Sequence, residues 1–259
     1  MKNMLGYRRL LLAASMAGLS YTASANLLTF DEFAHGQVIT DQYAGVTISA
    51  DNYDPNADDH AVVYDTQPRV GDAAGLSNED PDLIGPNWGA GNLGDTSELF
   101  MGGVLIIQEN NRDCASGICS SPDDEGTRPA GILSFSFDNA ISELGFDLID
   151  VEGPEEYNDD AGYVALLFDE LGNELGRIGF GSLVGDGINN AVFGNNSVNR
   201  IAPIDLAGFG SVTQVDFVFG GSAAIDNVYY SVNEPLRLGL FGSVLLLLAL
   251  RTRQLRRSR

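Results

Sequence analysis

An all-β fold, a jelly-roll-like β-sandwich with two long acidic loops, is what the sequence predicts for residues 26–232. Three observations carry it. Apolar residues recur at period two in short runs, the runs are separated by Gly, Asn, Asp and Pro, and no stretch of this region has the pattern of an amphipathic helix.

The chain opens with Lys2, Arg8 and Arg9, then the apolar residues 10–19, then the small-residue triplet Ala23-Ser24-Ala25. That order predicts a secretory signal peptide over 1–25, removed by signal peptidase before Asn26. The pair Arg8-Arg9 suits twin-arginine export only loosely, so general secretion is the expectation.

Candidate strands follow at 27–30, 38–39, 46–49, 61–64, 104–108, 132–137, 144–151, 163–168, 174–180, 214–219 and 225–231. In 132–137 the residues Leu133, Phe135 and Phe137 share one face, and Val215, Phe217 and Phe219 repeat the pattern. Residues 169–173, Asp-Glu-Leu-Gly-Asn, read as a hairpin turn. The two long loops are 66–103 and 109–130, a length at which a loop is either functional or tied down by something.

Five arginines, Arg69, Arg112, Arg128, Arg177 and Arg200, face 35 acidic residues between 26 and 232, giving this region −30 against −22 for the whole chain. Such a field repels nucleic acid and attracts cations, so nucleic-acid binding is excluded as a function. Solubility in a salty medium and calcium binding both account for the carboxylates. The first calcium candidate is Asp54, Asn56 and Asp58 at alternate positions with Asp65 at the twelfth, the spacing of an EF-hand loop, although Asp59 stands where that loop places Gly. The second joins Asp80 and Asp82 on one long loop to Asp123, Asp124 and Glu125 on the other. A third joins Asp31 and Glu32 to Asp226.

Cys114 and Cys119, in a chain bound for an oxidising compartment, predict a local disulfide worth about 2 kcal/mol on the chain-entropy treatment. Trp88, in a Gly-rich loop, is a candidate for stacking on a sugar ring; its other reading is a plug between loop and core. An enzymatic reading starts at Asp147 and runs through Asp150 to Glu152, similar to the acidic strand of laminarinase-like glucanases. Those enzymes need three acids at alternate positions, and Leu148 occupies the leading one. His35 and His60 lie in turn-like sequence with no Gly-x-Ser-x-Gly motif, and Gly179-Phe180-Gly181 has no helix behind it, so neither a serine triad nor a phosphate loop is expected.

The last stretch, 233–259, holds Asn233-Glu234-Pro235, the uncharged residues 238–250 and a terminal arginine cluster. Residues 238–250 make ~20 Å of helix at ~1.5 Å per residue, short of a ~30 Å hydrocarbon core, and the arginines favour the cytoplasmic side. Motif, apolar segment and basic cluster together resemble the PEP-CTERM sorting tail, with Asn233 in place of the first proline. The resemblance implies a Gram-negative exported protein, held transiently in the membrane by its tail, whose tail an exosortase removes.

Short pieces of the body, among them Phe30-Asp-Glu-Phe33, Gly145-Phe-Asp-Leu-Ile-Asp150 and Ala224-Ile-Asp-Asn-Val228, resemble a β-sandwich domain common among such proteins. The expectation is therefore a non-catalytic secreted or cell-surface protein, calcium-stabilised, binding extracellular polysaccharide or matrix. The alternative is a polysaccharide-active enzyme on the same sandwich.

Overall fold

The computed structural model describes residues 23–67, 81–86, 88–111, 114–124, 126–156 and 162–233, which fall in one compact unit, Ala23–Asn233. Residues 1–22 of the predicted signal peptide and the predicted sorting tail from Glu234 onward lie outside the described residues. No α-helix occurs among the described residues; the elements are strands and short 3₁₀ turns.

The strands are β1 (Ala23–Leu28), β2 (Val46–Asn52), β3 (Ala61–Asp65), β4 (Ala90–Gly91), β5 (Gly103–Ile107), β6 (Gly131–Ile149), β7 (Tyr163–Phe168), β8 (Glu174–Gly179), β9 (Ser197–Asp205), β10 (Val212–Phe219) and β11 (Ala224–Asn233). They form one hydrogen-bonded network of 11 strands in the order β3-β5-β11-β6-β10-β7-β8, with β1 on β11 and with β2 and β9 on β6. Pairing is antiparallel throughout except for β4 on β9.

The continuity of this network rests on β6. The two strands expected at 132–137 and 144–151 are a single 19-residue strand, whose first part pairs β2 and β10 and whose last part pairs β11 and β9. Extended chain between Phe135 and Phe146 would reach ~36 Å at ~3.3 Å per residue. Both rings nevertheless pack on Phe217, with centroids 5.4 and 4.9 Å away. The strand therefore folds back between them, and the register against β10 jumps there, from Gln214 opposite Ser136 to Val212 opposite Ile141. This bend brings the two halves of the sheet face to face, and Phe135, Phe146, Phe217, Phe219, Leu133 and Ile48 fill the space between.

β3 and β5 are buried on both faces, as their unbroken apolar runs Ala-Val-Val-Tyr and Val-Leu-Ile-Ile require. Their inner face joins the main core. Their outer face carries a second apolar cluster in which Val62, Tyr64 and Ile106 meet Leu83, Trp88, Met101 and the Cys114–Cys119 disulfide. The long loops are thus anchored by apolar burial and a covalent bridge.

Two strands were not expected. β9 contains Pro203, which cannot donate to a ladder and so argues against a strand. It is tolerated because β4 pairs only with Ser197 and Val198, leaving the rest of that side of β9 without a strand. β4 consists of two residues, and Gly91 approaches β9 so closely that a Cβ would stand 1.8 Å from the Val198 carbonyl oxygen. Val38, expected in a strand, makes an isolated bridge to Val62.

Candidate functional site

The outer face of β11, β6 and β9 carries a cavity of about 620 Å³. Its floor follows the ladder: Leu27 on β1 pairs with Tyr229 on β11, which pairs with Gly145 on β6, and Asp147 on β6 pairs with Arg200 on β9. Gly145 leaves the floor open where Ile201 and Pro203 approach; a Cβ there would lie 3.0 Å from the Ile201 carbonyl oxygen.

One ion pair organises the polar part. Arg200 donates from Nε and Nη2 to the two carboxylate oxygens of Asp147, at 2.9 and 2.7 Å. Parallel bonds of this kind fix the guanidinium plane. Asn227 Nδ2 donates to Asp147 Oδ2 at 2.9 Å and to Asp226 Oδ2 at 2.8 Å. Asp226 lies beneath, 2% exposed, and its pKa is pushed up to about 8, first by burial and then by the charges of Asp147 and Asp31. Burial disfavours the ionised form of a carboxyl, which is the direction of this shift.

The wall opposite is a built loop. Asp186 Oδ1 accepts from the backbone N–H groups of Ile188, Asn189 and Asn190 at 2.9, 2.7 and 3.0 Å, and its Oδ2 accepts from Asn189 Nδ2 at 2.8 Å. These donors, Asn190 foremost, hold the Asp186 carboxyl down to about 2. Asn189 Oδ1 in turn accepts from Ala202 N at 2.8 Å, and Asn92 bridges the loop to β9 through the Asn189 and Arg200 carbonyls. The loop presents Ile188, 76% exposed, across from Leu27, 56% exposed. Exposed apolar lips over a fixed polar floor are the ordinary make-up of a small-ligand site.

Of the residues singled out in the sequence, Asp147, where the glucanase-like reading starts, lines this cavity; none of the calcium candidates does, and neither does Trp88. Asp54 Oδ1 accepts from Asn56 N and Nδ2 in a local turn, and Asp58 N donates to Asn111 Oδ1 on the second long loop. Asp65 sits at the far end of β3, ~13 Å of extended strand beyond Ala61, which keeps it from closing a loop with Asp54. It lines instead a second, polar cavity of about 410 Å³ with Asp31. Asp82 lies in the 3₁₀ turn Pro81–Leu83 and Asp123 in the second long loop; Asp80 and Glu125 lie outside the described residues. Asp124 is buried and accepts from Ala223 N at 2.6 Å and Ser222 Oγ at 3.1 Å. It thus ties its loop to the β10–β11 turn. Among the described residues no group of three or more His, Cys, Asp or Glu is arranged to hold a metal.

Trp88 corrects the stacking expectation. It is 6% exposed, donates from Nε1 to the Leu99 carbonyl at 3.1 Å and packs in the second cluster, so its ring is buried between loop and strands rather than presented to a sugar. The acidic run also departs from the glucanase pattern. β6 ends at Ile149, Asp150 takes a left-handed φ of 57° and bonds Ser222 and Asn196, and Asp150 and Glu152 therefore share no strand face. In the third acidic grouping, Asp31 comes close enough to Asp226 to raise its pKa, but the group is not arranged to hold a metal. The disulfide between Cys114 and Cys119 is present.

Of the residues that hold the cavity wall, Asp186 has the most local signal in the sequence. Asp186-Gly-Ile-Asn-Asn190 is the composition of a turn closed by an aspartate on its own backbone. No helix of the described residues is long and apolar enough to cross a membrane. No family model and no curated protein matches the chain.

Proposed function

We propose that this chain is an exported, non-catalytic surface protein, delivered by its leader and its C-terminal sorting tail, that binds a saccharide in the cavity between Leu27 and Ile188. The observation that carries the reading is that cavity. Its apolar lips suit the C–H faces of a sugar ring, and its Asn92–Arg200–Asp147–Asn227 floor is held in place before any ligand arrives. Preorganised polar groups lower the ordering cost of binding.

The test is retention of the exported protein in a native gel cast with the polysaccharide of its own host's extracellular matrix. Wild type is retarded, and Ala202→Trp, which fills the cavity, migrates as in an empty gel. Equal retardation of the two would remove the cavity from the function. Intact-mass measurement on the same material checks the export reading, with Asn26 at one end and loss of the arginine cluster at the other.

A further inference from the structure

We infer that the saccharide taken by this cavity is an uncharged one, and that the site is built to reject polyuronates and other anionic glycans. The inference rests on the cavity reading above and concerns what the cavity selects.

Arg200 is the cation of the cavity, and its charge is already cancelled. Asp147, 1% exposed, receives three donors, two from Arg200 and one from Asn227, and has little capacity left for a ligand. The Arg200–Asp147 pair therefore brings no net charge to the floor, and Asp226, buried below it, has its pKa pushed up rather than adding an exposed anion. The amides are committed in the same way: Asn92 spends its Nδ2 on two carbonyls and its Oδ1 on Arg200 N, and Asn189 spends both ends on Asp186 and Ala202.

Open to a ligand is the outward edge of the Arg200 guanidinium, whose side chain is 57% exposed. A guanidinium has five N–H donors, and the fork to Asp147 uses two of them. The free edge suits hydroxyl, ether or amide-carbonyl oxygens. A carboxylate on the ligand would meet no uncompensated positive charge to repay its desolvation, in a region whose formal charge is −30. A cationic glycan fares no better inside the cavity, because Asp147 and Asp226 are buried; it would bind elsewhere on the acidic surface and be released by salt.

The experiment is affinity electrophoresis of the exported protein at 0.05 and 0.5 M salt, order-of-magnitude choices that bracket strong and weak screening. The probes are three neutral polymers (a β-glucan, a galactomannan and a xylan), a polyuronate and chitosan. The expected result is retardation by at least one neutral polymer that changes less than about twofold with salt, none by the polyuronate, and chitosan binding only at low salt. Two variants report on the mechanism: Asp147→Asn uncovers the Arg200 charge, and Ile188→Lys adds a cation on an exposed lip without touching the floor. Each should gain polyuronate binding, about tenfold or more, at low salt.

Polyuronate binding by wild type that Ala202→Trp abolishes would overturn the neutral selection and leave the cavity reading standing. Failure of both variants to gain polyuronate binding would overturn it as well. If Ala202→Trp alters no binding, or no probe binds, the cavity reading itself falls, and the selection falls with it.

Discussion

Asp226 has a raised pKa because it is walled off from water beside two other aspartates, and this has a measurable consequence. Its folded pKa of about 8 stands above the ordinary 3.8, so below pH ~4 both folded and unfolded chains are protonated and nothing is lost. As pH rises from ~4 to ~8 the unfolded chain releases a proton that the folded one keeps, and stability falls until both are ionised. Glu156, raised to about 7 chiefly by burial, adds the same sign over a narrower window. Asp226→Asn should therefore flatten the decline in melting temperature between pH 5 and 9 and melt above wild type at pH 9, by up to a few kcal/mol. Parallel curves would show that Asp226 is already ionised. Trp88→Ala removes a ring from the second core cluster and should cost about 3–5 kcal/mol of stability while leaving saccharide retention unchanged.

Among the elements, β1 and the 186–190 loop carry distinct expectations. β1 pairs Ala23, Ser24 and Ala25 with Asn233, Val232 and Ser231, and Asn26, Leu27 and Leu28 with Tyr230, Tyr229 and Val228. Processing before Asn26 would remove the first three pairs and keep the buried Leu28 and the cavity lip Leu27. The small residues lost add little apolar burial. Chains beginning at Ala23 and at Asn26 should differ by less than ~1 kcal/mol, whereas Leu28→Ala should cost ~2–5 kcal/mol. Chemical denaturation of the three proteins decides this. In the loop, Asp186→Ala frees three backbone amides at an exposed position, so the fold should survive while Ile188 loses its fixed place. Faster dissociation of the bound saccharide with an unchanged melting temperature is the expected outcome, read by surface-immobilised binding kinetics.

The whole molecule is governed by its charge. A region of net charge −30 repels itself in the folded state, and salt relieves that repulsion as the Debye length shrinks from ~30 Å at 0.01 M to ~10 Å at 0.1 M. Melting temperature should therefore rise across that range of sodium chloride, and a flat profile would mean that the carboxylates are already compensated. Comparing calcium with magnesium at equal ionic strength separates ligation by the loop carboxylates from screening. Reducing the Cys114–Cys119 bridge should lower stability by about 2 kcal/mol, the chain-entropy contribution of so small a ring.

The alternation in Leu133, Phe135 and Phe137 and in Val215, Phe217 and Phe219 was enough to place an all-β core, because a half-buried strand needs only its own neighbours to show its period. The cysteine pair was legible for the same reason, being local in sequence. The two-sided burial of β3 and β5 was also written in their continuous apolar runs, although what covers their outer face was not. The fold-back of β6 was not readable, since it depends on Phe146 meeting a ring of β10 that lies far along the chain. β9 was hidden by Pro203, which only the lack of a neighbouring strand on that side makes tolerable. The cavity was the least legible of all: Leu27, Asn92, Arg200 and Asn227 are scattered along the chain and unremarkable one by one, and Asp147 stood out only for an acidic strand pattern that the fold does not form. Composition and local pattern determined that this is an acidic all-β protein with a disulfide, because those follow from what each segment does alone. Only the tertiary structure decided which carboxylates meet an arginine, which meet a backbone amide and which tryptophan faces are covered, because burial and pairing belong to residues that become neighbours when the sheet closes.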